Sequence, residues 1–102
     1  MKETPLSQLR YATFAQQRNS VFQVSSSAAP ALPLELVHAE LHLSGPGAES
    51  FSLLFAGPRE PVLVQATYSL EHAVIKRFAL FIVPVKQNAQ SVYYKAIFNR
   101  EG

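Results

Sequence analysis

The stretch Val64–Val85, VQATYSLEHAVIKRFALFIVPV, decides the fold. In its first half Val64, Ala66, Tyr68 and Leu70 alternate with Gln65, Thr67, Ser69 and Glu71. Strand side chains repeat every two residues, so this pattern predicts a half-buried β-strand. In its second half Phe78, Leu80 and Ile82 share one face, while Ala79, Phe81 and Val83 share the other. A strand that is apolar on both sides needs cover on both, from a curling sheet, a docked helix or another chain. One hairpin thus joins a one-faced strand to a two-faced one.

The same period-two reading extends outward from the hairpin. Upstream, Phe51, Leu53 and Phe55 mark a strand stopped by Gly57-Pro58, and Ala56–Pro61, with two prolines and two charges, reads as a surface loop. Before it, Glu35–Leu43 sets Val37, Ala39, Leu41 and Leu43 on one face and His38, Glu40 and His42 on the other; Gly45-Pro46-Gly47 then turns the chain. Val21–Val24 is a short strand with Phe22 and Val24 inward, and Ser25–Pro33 (SSSAAPALP) reads as a small-residue loop. Downstream, Gln87–Gln90 is a polar connection, and Ser91–Asn99 is a last strand with Val92, Tyr94, Ala96 and Phe98 inward.

Ahead of the strands lies one predicted helix, over about residues 5–18. Thr4 can cap it, Pro5 suits its first turn, and Leu6, Leu9, Thr13 and Phe14 form an apolar stripe. Asn19 suits the left-handed conformation that ends helices. With no helix-length segment between strands, parallel crossovers are excluded and an antiparallel meander is expected. The predicted class is mainly β, with the chain 1–102 as one domain and its strands within 21–99. An N-terminal helix precedes a five- to six-stranded, strongly bent antiparallel sheet or small barrel, Sm-like or SH3-like in outline. Curling removes the edges that a flat sheet would expose.

Composition narrows the function classes. The 16% of charged residues is low against a typical quarter, which favours self-association or a protein partner. The seven acids are all Glu, and the nine cations form no cluster of the kind that drives nucleic-acid binding. With no cysteine, disulfides, thiolate chemistry and Cys-based zinc sites are excluded. MKETPLSQLR lacks the apolar region of a secretory signal, and no apolar run approaches ~20 residues. The expectation is a soluble, bacterial-type cytoplasmic protein without membrane association.

From Phe51 onward the chain also resembles a family. FSLLFAGP, QATYSLEHAVIKRFALFIVPV and YYKAIFNR are similar to an uncharacterised bacterial domain family of about this length. The shared features are a GP turn, a Gln-x-x-Tyr-x-Leu-x-His strand, a Phe-x-Leu-Phe-x-Val-Pro strand and a terminal Phe-Asn-Arg. The resemblance implies no activity, since the family has none established. Where that family carries a Gly in the turn after His72, this chain reads Ala73-Val74-Ile75-Lys76. The topology also resembles Sm-like RNA-binding proteins, but Tyr94-Lys95-Ala96 lacks the His of their RNA-reading Lys-His pair.

Three sets of residues could carry chemistry. His38, Glu40 and His42, at every second strand position, could share a metal ion; the alternative is a solvated polar face, and no cofactor is expected. Glu71-His72 could be an acid–base pair; the alternative has His72 donate a hydrogen bond that fixes the turn and Glu71 pair with a nearby cation. Lys76, Arg77, Lys86, Lys95 and Arg100, interleaved with Phe81 and Tyr93, could contact a single-stranded nucleic acid or a partner. The expected function is a non-enzymatic binding or assembly module, with an Sm-like RNA-binding module as the alternative.

Overall fold

The computed structural model describes residues 9–26, 29–45 and 48–100. They form a helix α1 (Tyr11–Ala15) and strands β1 (Val21–Ser26), β2 (Ala29–Gly45), β3 (Ala48–Gly57), β4 (Ala66–His72), β5 (Lys76–Gln87) and β6 (Val92–Arg100). All six strands belong to one antiparallel sheet in the order β1-β2-β3-β6-β5-β4. The sheet closes on itself, because β4 pairs back with β1 from Gln23↔Glu71 to Ser25↔Ser69.

The chain is not a meander. β3 pairs with β6 from Glu49↔Arg100 to Gly57↔Val92, and β4 lies across the ring from β3. The segment 58–65 therefore crosses one mouth of the ring. Its Leu63 is buried there, its N–H donates to the buried Tyr94 hydroxyl at 2.9 Å, and the Tyr68 hydroxyl donates to the Val64 carbonyl at 2.8 Å. What holds of the expected class is the coarser statement: among the described residues the chain is mainly β, with six antiparallel strands in one sheet and a single short helix.

Strand parity explains a second correction. β2 buries Leu34 and Leu36, then Ala39, so its inward set changes from even to odd positions. A one-residue bulge between Leu36 and His38 makes the change, and Val37 is the extra residue. A further shift between Leu41 and Leu43 falls at His42. The Ser25–Pro33 loop is also corrected: β1 runs to Ser26, β2 starts at Ala29, and Gln23 faces Pro33 across the ladder. Pairing to two neighbours overrides the weak strand propensity of these small residues.

The predicted helix over 5–18 is shorter. Arg10 is extended (φ −113°, ψ 164°), α1 occupies Tyr11–Ala15, and turns follow to Asn19. Thr4, Pro5 and Leu6 lie outside the described residues, as does the Pro46-Gly47 part of the predicted turn. Asn19 does take the left-handed conformation (φ 74°), and its N–H donates to the Leu36 carbonyl at 2.6 Å. A long helix would overshoot the mouth that α1 fills. Fully buried Phe14 enters that mouth and meets Phe22, Phe51, Phe78 and Phe98 at centroid distances of 6.4, 6.0, 5.7 and 5.5 Å. Helix and crossing loop close opposite ends of one core. Among the described residues no helix is long and apolar enough to cross a membrane.

Candidate functional site: the outer face of β5 and β6

The hairpin buries the face that its alternation predicts. Tyr68, Leu70, Phe78, Leu80 and Ile82 all point into the ring. The second apolar face of β5 points out. The stripe of α1 goes into the mouth, so it leaves Phe81 49% exposed, with Val85 at 48% and Ile97 of β6 at 63%. Phe81, Val83, Val85, Lys95 and Ile97 line one shallow, mostly apolar depression of about 390 Å³. Partly exposed apolar side chains that share a depression are the usual mark of a surface that meets another molecule.

The ladder beneath this depression is short. β5 pairs with β6 only from Val83↔Lys95 to Gln87↔Val92, with a bulge at Val85. Beyond Val83, β5 keeps its pairing to β4 (Ala66↔Ile82 to His72↔Lys76) and β6 keeps its pairing to β3. Between those two halves the strands part. A second depression opens there, lined by Thr67, Ala79, Leu80, Phe81, Ile97, Phe98 and Asn99. Leu80 and Phe98 are core residues, and they reach a surface depression only because the seam is open.

Val85 and Lys95 also border a groove whose other walls include His38, Glu40, Ser52 and Lys86. The three suspected metal ligands do not converge in it. His38 Nε2 lies 3.7 Å from Glu40 Oε1, both exposed, while His42 Nε2 and Ser52 Oγ share a hydrogen bond of 2.9 Å. Among the described residues no group of three His, Cys, Asp or Glu could hold a metal ion.

The remaining sequence candidates are dispersed. Lys76 and Lys86 stand at opposite ends of β5, about 30 Å apart at ~3.3 Å per residue. Arg77 pairs with Glu71 at 3.6 Å, Lys76 Nζ donates to the Ala73 carbonyl at 3.0 Å, and Lys86 Nζ sits 5.1 Å above the Tyr93 ring. The Arg100 backbone faces Glu49, and its side chain lies outside the described residues. Of the expected contact residues, the structure gathers Phe81 and Lys95 on one depression and leaves the others elsewhere.

His72 forms a separate, buried node at 8% exposure. Its Nδ1 accepts from the N–H groups of Val74 (3.0 Å) and Ile75 (3.3 Å), so the proton sits on Nε2 and is donated to Ser20 Oγ at 2.8 Å. Ser20 in turn donates to the Gln17 carbonyl. His72 thus fixes the turn as an acceptor, the reverse of the predicted polarity. The pairing of Glu71 with a nearby cation is as expected. Burial pushes the imidazole below its ordinary pKa of 6.5, with the Phe22 ring tilted against it at a centroid distance of 4.3 Å. A ring whose Nε2 is a donor cannot take a proton from Ser20, so this serine–histidine pair is not poised as nucleophile and base. In the second such pair, no described residue is seen to orient the other ring nitrogen of His42.

The family is settled by similarity. The model of a domain of unknown function, DUF6916, matches residues 9–98, nearly the whole chain. The chain belongs to the DUF6916 family. No curated protein and no solved structure matches it. The resemblance noted from Phe51 onward extends back to Leu9 and takes in α1 and the first two strands. One sequence signal points to the open seam. Pro84 can donate to no ladder, and a proline inside a strand marks an edge or a bulge; the bulge is at the next residue.

Proposed function

We propose that the chain is a non-enzymatic binding module that docks another protein on the outer face of β5 and β6. The observation that supports it is the shared depression of Phe81, Val83, Val85 and Ile97, in a fold whose core needs none of them. The partner is a different protein that presents apolar side chains and a carboxylate. A two-fold pairing of this face with itself would bring two Lys95 ammonium groups into one apolar contact, and the depression carries no carboxylate to neutralise them. An RNA-binding reading finds less support: Lys76 and Lys86 stand at opposite ends of β5, Arg77 is paired with Glu71, and the groove that Lys86 and Lys95 share also holds Glu40.

The test is selection of displayed peptides of about seven residues against the protein, with Phe81→Asp as counter-target. The expected result is enrichment of apolar sequences carrying Asp or Glu on the wild type only. Light scattering should give a monomer of 11.3 kDa. Enrichment that ignores Phe81, a stable dimer lost in Phe81→Asp, or a salt-sensitive RNA gel shift would overturn the reading.

A further inference from the structure

The open seam says how a partner would sit on that face. Beyond Val83↔Lys95 the ladder between β5 and β6 ends, although both strands continue, to Lys76 in one direction and Arg100 in the other. Each strand is satisfied on its far side, by β4 or by β3. On the near side, residues 78–82 of β5 and 96–99 of β6 have no ladder partner among the described residues. Continued at its own register, the ladder would set Phe81 against Ile97 and Ala79 against Asn99. Those four residues instead line a depression with Leu80 and Phe98 at its floor.

We propose that this seam is a strand-addition site, in which an extended segment of the partner protein enters between β5 and β6. Backbone edges give such a site its affinity, and pockets for alternate side chains give its selectivity. The segment's alternate apolar side chains would fit between Phe81 and Ile97. Charge decides its remaining feature: Lys95 is the charged residue of the adjoining depression and is in no ion pair among the described residues, so the segment carries a carboxylate about two strand positions from its apolar anchor. Phe14 of α1 packs inside the ring at this end of the seam, 5.7 Å from Phe78 and 5.5 Å from Phe98.

This inference rests on the docking face of the preceding section and is separable from it. The peptide enriched by display is compared with the same peptide N-methylated at alternate residues, which keeps the side chains and removes backbone donors. Strand addition predicts that N-methylation weakens binding about tenfold or more, and that the unmodified peptide slows amide exchange within 78–82 and 96–99 by a similar factor. Binding that needs Phe81 and Ile97 but survives N-methylation, with no new protection, overturns strand addition and leaves face docking standing. Absence of any Phe81-dependent peptide overturns both. If the amides are already protected in the free chain, and lose protection in a variant lacking residues 1–8, the seam is filled by the chain itself and the proposal falls.

Discussion

Strand β5 presents two apolar faces that meet opposite fates. Inward, Phe78, Leu80 and Ile82 are buried, with Phe78 against the rings of Phe14 in α1 and Phe22 in β1; outward, Ala79, Phe81 and Val85 are exposed. Of the chain's seven phenylalanines, Phe14, Phe22, Phe51, Phe55, Phe78 and Phe98 are buried and Phe81 alone is not. The difference teaches that apolarity on this strand has two causes. The inner face is selected by close packing, where each lost methylene is felt. The outer face lies outside that packing, and its apolarity is what the proposed docking accounts for.

The sharpest break of this comparison is a pair of substitutions. Phe14→Ala removes the ring that four other phenylalanines surround, and should cost about 3–5 kcal/mol in urea unfolding. Phe81→Ala should change stability by less than ~0.5 kcal/mol, as surface substitutions do. Equal losses at the two sites would show that the outer face is part of the folding core after all.

The closed mouth opposite α1 gives the next effect. Tyr94→Phe keeps the ring but leaves the Leu63 N–H without its acceptor in a buried place. An unsatisfied buried donor costs about 1–3 kcal/mol, and exchange of the Leu63 amide should accelerate by more than global unfolding explains. An unchanged exchange rate at Leu63 would mean that water reaches this mouth.

Much of this packing was legible from the sequence, and the reason is periodicity. Alternation set Tyr68 and Leu70 of β4 on its apolar face and Tyr94 and Phe98 of β6 inward, where all four are buried, and Asn19 suited the left-handed conformation that it takes. Strand order was not legible, because β3 meets β6 through pairings some 40 residues apart that no local pattern encodes. Nor was the inward set of β2, since a bulge at Val37 changes parity without changing composition. The candidate face was half legible: two apolar faces on β5 were plain, but which one α1 covers depends on the ring's closure. The seam was hidden for the same reason, as a ladder's end is a long-range fact.

Acid probes the junction between the two faces, where His72 ties the β4–β5 turn to Ser20 before β1. Its folded pKa lies below 6.5, so the unfolded chain binds the proton more readily and stability rises with pH through this range. The contribution is fully present above pH 6.5 and is lost progressively as the pH falls below it. Protonation also places a hydrogen on Nδ1, where the Val74 and Ile75 amides need an acceptor. Denaturation midpoints measured from pH 7.5 to 5 should therefore fall, and His72→Gln should flatten the fall while lowering the plateau. A slope unaltered by His72→Gln would assign the effect to other groups.

The smallest effect tests the turn itself. After His72 the chain puts the left-handed conformation on Lys76 (φ 77°), a residue that is not glycine. That conformation costs a non-glycine residue about 1–2 kcal/mol, whereas glycine adopts it freely but loses about 0.5–1 kcal/mol more chain entropy on folding. Lys76→Gly also gives up the exposed bond from Nζ to the Ala73 carbonyl, a minor term. The terms nearly cancel, and the net expectation is a gain of a few tenths of a kcal/mol. Lys76→Ala keeps the strain and loses the bond, so it should be the less stable of the two in urea unfolding. If alanine were instead the better residue, side-chain packing rather than backbone conformation would set this turn, and the inner face of β5 would begin two residues before Phe78.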